Sequence, residues 1–184
     1  MSEQEKKQKM SEWFTPDEPN LKRLRVHCNK VMFELNQLDN SQKQKRYDLL
    51  KDLLGHMGDD VNIKSYFQCD YGINIFAGNH VFVNYNCVFV DVGKIIIGDH
   101  TFIGPQVGIY TVNHLLDPAM REQGLQRSCD VKIGRNCWIG GNATINPGVT
   151  LGDNVVVASG AVVTKSFGND VMIAGVPARI LKKI

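Results

Sequence analysis

One of the five histidines in the sequence, His114, lies where an imidazole could do chemistry. It ends the run Y-T-V-N-H at 110–114, at the start of a stretch that interrupts a regular repeat. An imidazole titrates near neutral pH, which suits it to general acid–base catalysis, such as taking a proton from a hydroxyl. The sequence has no convincing Ser-His-Asp or Cys-His framework, so a base that acts directly, with no covalent enzyme intermediate, is indicated.

The repeat around His114 has a period of six residues. The scaffold that holds the imidazole must be built from the aliphatic positions of this repeat. These positions are Ile97, Ile103, Ile109, Ile133, Ile139, Ile145, Leu151, Val157 and Val163. A second small or aliphatic residue lies two positions before most of them, so both side chains lie on one face of a short strand. Turn-forming Gly, Asp, Asn and Pro separate the strands. Three such sides close a triangular coil of roughly eighteen residues, which predicts an all-β solenoid of stacked parallel strands.

Two irregularities break this period. The interval from Ile109 to Ile133 is 24 residues, four times six, so the stretch at 111–130 is a loop inserted into a continuous prism, and such loops tend to carry function. Earlier, Ala77, Val83 and Phe89 keep the step, but Ile97 arrives two residues late. The extra residues fall around 91–94, which predicts a small bulge that re-aims side chains.

The flanking segments are predicted to be helical. Residues 1–15 are expected to form a charged first helix, Asp17-Glu18-Pro19 a helix start, and the apolar spacing from Leu21 an amphipathic helix. Another helix is expected from about Ser41 to Gly55. The chain thus divides into a helical segment at 1–58 that caps the solenoid, the solenoid at 59–166, and a loop with a short helix at 167–184.

Composition excludes several classes of protein. The 184 residues carry a net charge of +2, which is too small to indicate nucleic acid or a membrane surface as a partner. Five cysteines without a CxxC pair fit free thiols in a reducing compartment. The charged opening M-S-E-Q-E-K-K-Q-K has no apolar core of a signal peptide, so a cytoplasmic protein is expected.

Several runs resemble the maltose and galactoside O-acetyltransferase branch of the hexapeptide-repeat acyltransferases. They are the repeat at 138–165, G-V-P-A-R-I at 175–180, C-D-Y-G-I-N-I at 69–75, Y-T-V-N-H at 110–114 and F-T-P-D…K-R-L-R at 14–25. The resemblance implies a left-handed parallel β-helix that uses acetyl-CoA as cosubstrate. It further implies a sugar acceptor such as maltose, glucose or a galactoside, and a homotrimer with sites between subunits.

The same resemblance implies roles for individual residues. His114 would be the general base, and the backbone N–H of Gly141 would bind the oxyanion of the tetrahedral intermediate. The implied acceptor-binding residues are Asp17, Arg23, Asp70, Phe82, Asn84, Asp91 and His114. The implied coenzyme-binding residues are Asn84, Trp138, Gly141, Ser159, Gly160, Thr164, Lys165, Arg179 and Lys182.

Simpler interpretations remain open for some of these residues. Asp17 and Arg23 could be solvated helix charges, and Asp70 could be a turn aspartate. Phe82 stands where some relatives have a tyrosine, so only stacking on a sugar would remain there. Trp138 could instead be an outward hydrophobic residue at a trimer contact.

Two other functions compete on the same solenoid. A trimeric zinc hydratase resembling the γ-class carbonic anhydrases needs three His ligands, two of them five residues apart on one loop. Position 119, five after His114, is Ala119, so the ligand set is incomplete and no metal is expected. A non-catalytic scaffold is disfavoured by the intact set of His114, Asn84, Asp91 and Gly141. Within the acyltransferases, a serine or antibiotic acceptor is possible, but the N-terminal segment favours sugars.

Overall fold

The structure, a computed structural model, describes residues 13–184. The first helix predicted at 1–15 therefore lies outside the described residues, apart from its last three positions. There Phe14 is not helical but forms an antiparallel bridge with Gln126. No helix within the described range is long and apolar enough to span a membrane.

Two helices cover the N-terminal end of the solenoid, as the apolar spacing predicts. Helix α1 is Pro19–Gln37 and begins with proline, whose fixed φ suits a first helical turn. Helix α2 is Lys43–Leu53. Arg46 of α2 is buried, and its guanidinium donates to the carbonyl oxygens of Leu35 at 2.9 Å and Ile63 at 2.8 Å. This side chain thereby ties both helices to the first coil.

The solenoid is a prism of three sheets, all of whose strands are parallel except the last, β19, which confirms the fold class. Face 1 consists of β1 His56–Met57, β4 Ile75–Ala77, β7 Ile95–Ile97, β12 Val131–Ile133 and β15 Thr150–Leu151. Face 2 consists of β2 Asn62–Ile63, β5 Phe82–Val83, β8 Phe102–Ile103, β13 Trp138–Ile139, β16 Val155–Val157, β18 Val171–Gly175 and β19 Ala178–Lys183. Face 3 consists of β3 Gln68–Cys69, β6 Val88–Val90, β9 Gly108–Tyr110, β14 Thr144–Ile145 and β17 Val162–Val163. The predicted six-residue positions fill the interior, and those from Ile97 to Val163 are at most 2% exposed.

Two edges of this prism matter for function. We call the turns between faces 2 and 3, at 64–67, 84–87, 104–107, 140–143 and 158–161, the Gly141 edge. We call the turns between faces 3 and 1, at 70–74, 91–94, 111–130, 146–149 and 164–166, the His114 edge. Each strand of face 3 therefore runs from the Gly141 edge to the His114 edge.

The coil length changes along the prism. Phe76 pairs with Ile96, twenty residues on, whereas Lys132 pairs with Thr150, eighteen residues on. The extra residues predicted around 91–94 are present, and a matching pair at 70–74 lies beside them in the preceding coil. Two bulges therefore stack at the His114 edge, where the sequence indicated one.

The prediction of a short helix within 167–184 is wrong, because this segment forms strands. Strands β18 and β19 form an antiparallel hairpin that extends face 2, and Val171 pairs with Lys183. Val171 and Ile173 are buried while Met172 between them is half-buried, which is the period of a strand. The open edge of β16 supplies hydrogen-bonding partners for this segment, so it continues the sheet.

Candidate active site

His114 is the last residue of strand β10, Val112–His114, on a hairpin that projects from the His114 edge. The partner strand is β11, Gln126–Ser128, and His114 lies opposite Gln126. A short helix, α3 Pro118–Arg121, fills the tip of the hairpin and is capped by the side chain of Asp117. The imidazole is exposed, so it is presented outward from the prism.

The base of this hairpin is fixed by Thr111, which is fully buried. Its hydroxyl donates to the carbonyl of Val90 at 2.7 Å and accepts from the N–H of Gly93 at 2.8 Å. Its carbonyl accepts from the N–H of Cys129 at 2.7 Å, which closes the other strand. The hairpin that carries His114 is therefore anchored to the bulge at 91–94.

The N-terminal segment is joined to the hairpin by a single β-bridge between Phe14 and Gln126. Phe14 and Gln126 exchange two backbone hydrogen bonds, so Phe14, Gln126 and His114 lie in one row. Arg25 of α1 holds this segment by donating to the carbonyl of Pro16 at 2.8 Å and to the hydroxyl of Tyr71 at 2.9 Å. Its guanidinium also lies over the Tyr71 ring, 5.7 Å from the centroid. The segment, α1 and the bulge at 70–74 thus meet near the hairpin.

Three of the predicted acceptor residues lie in this neighbourhood. Asp70 is half-buried, and burial raises the pKa of its carboxyl while the charge of Arg25 partly opposes the shift. Asp17 is exposed and pairs with Lys22 at 3.3 Å. Arg23 is also exposed and donates to the side chain of Asn20. The interpretation of Asp17 and Arg23 as surface helix charges therefore fits the single chain as well as an acceptor role does.

Asp91 does not fit the acceptor role implied by the resemblance. Its side chain is fully buried, and its Oδ1 accepts from the N–H groups of Asp70 and Tyr71, both at 2.9 Å. Its Oδ2 accepts from the N–H of Asn74 at 3.3 Å. Burial raises the pKa of this carboxyl to about 6, against the effect of these donors. Asp91 therefore holds the two stacked bulges together and cannot touch an acceptor directly.

The Gly141 edge presents an unused backbone donor. The N–H of Gly140 donates to Val157 and that of Asn142 to Pro105, but the N–H of Gly141 has no acceptor within residues 13–184. In the preceding coil, register places Pro105 at the position of Gly141, and proline has no N–H. One coil earlier, the equivalent Tyr85 N–H is capped by the side chain of Asn84 at 2.8 Å. The equivalent positions Ser65, in the first coil, and Ser159, in the coil after Gly141, also have an N–H without an acceptor within residues 13–184.

Other predicted coenzyme residues divide between the two edges. Ser159 and Gly160 are exposed at the Gly141 edge, and the N–H of Gly160 donates to the carbonyl of Gly141 at 2.9 Å. Arg179 lies opposite Ala174 near the same edge. Thr164 and Lys165 are exposed at the His114 edge.

Phe82, Trp138 and Lys182 lie on the outer surface of face 2. Trp138 is 58% exposed and is in register with Phe102, whose ring meets that of Phe82 edge-on at 6.5 Å. Lys182 lies opposite Met172 in the C-terminal hairpin. These residues form an apolar strip on the outer surface of face 2, with Lys182 at its end. Such a strip fits Trp138 both as a coenzyme contact and as a trimer contact.

A single chain does not bring its two catalytic candidates together. Gly141 lies before strand β14 and His114 follows strand β9, so they occupy opposite edges of face 3. Two cavities, of about 350 and 320 Å³, lie beside the N-terminal helices, and neither is lined by either residue. Within one chain, the two groups therefore lie at different edges of the prism.

Several residues that build this site were not identified from the sequence. Arg25, Tyr71 and Gln126 act through contacts between distant segments, which no local pattern reveals. Gly104 could have been found from the repeat, since it is in register with Gly140. A Cβ on Gly104 would lie 2.6 Å from the nitrogen of Gly141, so the close stacking of these turns requires glycine there.

A metal site has no basis in the part of the chain that the structure describes. No three His, Cys, Asp or Glu side chains there are grouped so that they could hold a metal ion. The zinc alternative therefore lacks a ligand set in the single chain.

Comparison with known proteins gives concordant matches over nearly the whole chain. A model described as the maltose acetyltransferase hexapeptide capping motif matches residues 11–58, and one described as bacterial transferase hexapeptide (six repeats) matches residues 130–165. The galactoside O-acetyltransferase of Escherichia coli is 34% identical over 171 residues, covering 93% of this chain and 84% of that protein.

Solved structures agree with these matches. A maltose O-acetyltransferase from Clostridium difficile 630 superposes with a TM-score of 0.92 at 41% identity, covering 94% of this chain and 92% of that one. A hexapeptide-repeat-containing acetyltransferase from Vibrio cholerae, solved with acetyl coenzyme A, gives 0.88 at 36% identity, with 92% of each chain covered.

Proposed function

The chain belongs to the maltose and galactoside O-acetyltransferase branch of the hexapeptide-repeat acyltransferases, and we propose that it transfers an acetyl group from acetyl-CoA to a sugar hydroxyl. Its relatives at 34–41% identity cover almost its full length, which supports the reaction type and the donor. The capping match at 11–58 supports a sugar as acceptor, since this is the motif named for maltose acetyltransferases.

The observation that carries the proposal is the relation between His114 and Gly141 across face 3. One edge of the prism presents an exposed imidazole on an anchored hairpin, and the other presents a backbone N–H without an acceptor in the described chain. A general base and an oxyanion donor are the two groups that direct acyl transfer requires. Because they lie on opposite edges, we place each active site between two chains of a homotrimer.

The reaction then proceeds without a covalent enzyme intermediate. His114 takes the proton of the acceptor hydroxyl while that oxygen attacks the thioester carbonyl carbon. The carbonyl oxygen becomes an oxyanion and accepts a hydrogen bond from the N–H of Gly141 of the neighbouring chain. When the intermediate collapses, the carbon–sulfur bond breaks, and the imidazolium returns its proton to the departing coenzyme A thiolate. The products are the acetyl ester of the sugar and free coenzyme A.

The remaining residues bind the two substrates in this proposal. Asp70 accepts hydrogen bonds from sugar hydroxyls, since a carboxylate can accept from two of them at once. Arg25 holds the N-terminal segment against this position, so that Asp17 and Arg23 approach the same sugar. Asp91 acts as a positioning residue, because it fixes the backbone N–H of Asp70.

Coenzyme A is proposed to lie along the Gly141 edge. Asn84, Ser159 and Gly160 follow this edge from coil to coil, and Arg179 lies near its end, where a cation suits the phosphates. Trp138 and Phe82 border it on face 2. Thr164, Lys165 and Lys182 lie off this edge. We propose that they contact coenzyme A bound to a neighbouring chain of the trimer. The five free cysteines suit the reducing cytoplasm that we propose as its location.

Release of the coenzyme A thiol, measured with a panel of acceptors, tests this function. The panel contains three sugars (glucose, maltose and a galactoside) and two other acceptors (serine and an aminoglycoside). We expect acetyl-CoA-dependent thiol release with at least one sugar, and an O-acetyl sugar detected by mass spectrometry. Thiol release with serine or the antibiotic alone would replace the proposed acceptor class.

A further inference from the structure

A cavity of about 320 Å³ lies between α1 and the first coil, and no step of the proposed reaction uses it. Two aromatic residues line it, Phe33 of α1 and Tyr66 of the turn between faces 2 and 3. Both rings are largely exposed, Phe33 at 72% and Tyr66 at 64%. The cavity is thus lined by two aromatic side chains that are both accessible to solvent.

The polar lining of this cavity consists of amides. Asn29, Gln37 and Gln68 line it, and their side-chain amides have no hydrogen-bond partner within residues 13–184. No residue that lines the cavity carries a charge. Each amide offers both donors and acceptors, so together they suit a ligand that is neutral and rich in hydroxyls.

The floor of the cavity is held in place by two further residues. The Asn36 amide donates to the carbonyl of Phe67 at 2.9 Å and accepts from its N–H at 3.2 Å. The Met32 sulfur lies 3.0 Å from the backbone nitrogen of Cys69. These contacts fix α1 against the backbone at 67–69, so the two segments that carry Phe33 and Tyr66 are held together without a ligand.

Tyr66 occupies a backbone conformation that aromatic residues rarely adopt, with φ at +63°. The equivalent turn positions in the following coils are also left-handed, and they are Asn86, Gln106, Asn142 and Gly160. These small or amide residues suit such a turn better than tyrosine does. An exposed ring held where asparagine would fit better indicates a use for the ring itself.

We infer that this cavity is a second carbohydrate subsite, which takes a neutral glycosyl unit between Phe33 and Tyr66. The inference extends the proposed function, since the unit would belong to the acceptor chain. Gln68 and Asp70 point to the same side of one extended segment, about 7 Å apart along it. A sugar chain bound at Asp70 could therefore continue into the cavity, and the site would favour oligosaccharides over single sugars.

Binding and kinetics of two variants test this inference, with a third as control. Phe33→Ala removes one exposed wall, and Tyr66→Asn installs the residue that the next coil carries, so its melting temperature should be kept or raised. Val26→Ala, which alters another exposed residue of α1 outside the cavity, is the matched control. Binding of maltotriose, cellotriose and chitotriose is measured by calorimetry in the His114→Ala background, where no turnover interferes.

The expected result is binding of at least one trisaccharide, weakened roughly fivefold or more by each cavity variant and unchanged by Val26→Ala. In the enzyme with His114, the KM for that trisaccharide should rise while the KM for glucose and kcat stay unchanged. Absence of trisaccharide binding, equal binding by the cavity variants, or equal shifts in KM for glucose and trisaccharide would overturn the inference. Binding that depends on the cavity in a protein that acetylates no sugar would support the subsite and refute the proposed function instead.

Discussion

Phe14 and Gln126 exchange two backbone hydrogen bonds, of 2.9 and 2.8 Å, and Gln126 lies opposite His114 in the projecting hairpin. Phe14, which shortly precedes the predicted sugar contact Asp17 in the sequence, is thereby joined to the hairpin that carries the predicted base, His114. This relation explains how an N-terminal helical cap can shape a site whose catalytic residue is about a hundred positions away.

Breaking this bridge should affect the acceptor more than the coenzyme. Phe14→Pro removes the N–H that donates to Gln126, while Phe14→Ala keeps both backbone bonds. We expect the KM for the sugar to rise roughly tenfold in the proline variant, with the KM for acetyl-CoA nearly unchanged. Steady-state kinetics with each substrate varied in turn measure this. Equal rises in both KM values would show that the bridge only stabilises the fold.

Replacing His114 should remove catalysis without unfolding the protein. The imidazole is exposed, so His114→Ala should leave the melting temperature within a degree or two while kcat falls about a thousandfold. His56→Ala, at another exposed histidine in strand β1, is the control and should keep full activity. Thiol release and thermal unfolding of both variants provide the measurements. Near wild-type kcat in His114→Ala would remove the assignment of the base.

Gly141 allows its backbone donor to be removed selectively. Gly141→Pro deletes the N–H at a position whose equivalent in the preceding coil is Pro105, and its ring would stack on that proline. Gly141→Ala keeps the N–H, although its Cβ would lie 3.2 Å from the carbonyl oxygen of Pro105. We expect kcat to fall about a hundredfold or more for proline and far less for alanine. A similar loss in both variants would point to packing as the cause.

Asp91 should make stability depend on pH in an unusual direction. Its pKa is raised from 3.8 to about 6 in the folded protein, so the folded state keeps this proton to higher pH than the unfolded state does. The protonated carboxyl therefore contributes about 3 kcal/mol to the free energy of unfolding below pH 3.8. This contribution is lost as the pH rises from 3.8 to about 6.

The variant Asp91→Asn isolates this effect, because its amide does not titrate. The free energy of unfolding of the wild type minus that of Asp91→Asn should fall between pH 4 and 6.5 and stay level above that range. Denaturant unfolding at several pH values measures the difference. A difference that grows with pH would mean that the three N–H donors outweigh the cost of burying the charge.

The prism could be predicted because its period is local, but the contacts between segments could not. Every aliphatic position from Ile97 to Val163 is buried as the spacing requires. Asp91 was assigned to the acceptor by resemblance, whereas its burial depends on a stacked bulge that the six-residue period does not show. The sequence at 167–184 predicts a short helix, whereas the chain forms strands there, since only the open edge of β16 decides its conformation. The handedness of the coil likewise came from resemblance and not from spacing.

Mixed trimers of two inactive variants test the central claim most directly. Chains with His114→Ala and chains with Gly141→Pro are purified, unfolded, mixed in equal amounts and refolded, and trimer formation is checked by light scattering. If each site takes His114 from one chain and Gly141 from its neighbour, about a quarter of the sites in the mixture are intact, and thiol release recovers to about that fraction of wild type. Mixing His114→Ala with the double variant should restore nothing. If the mixed trimers form but remain as inactive as their parents, the two residues do not act in one site between chains.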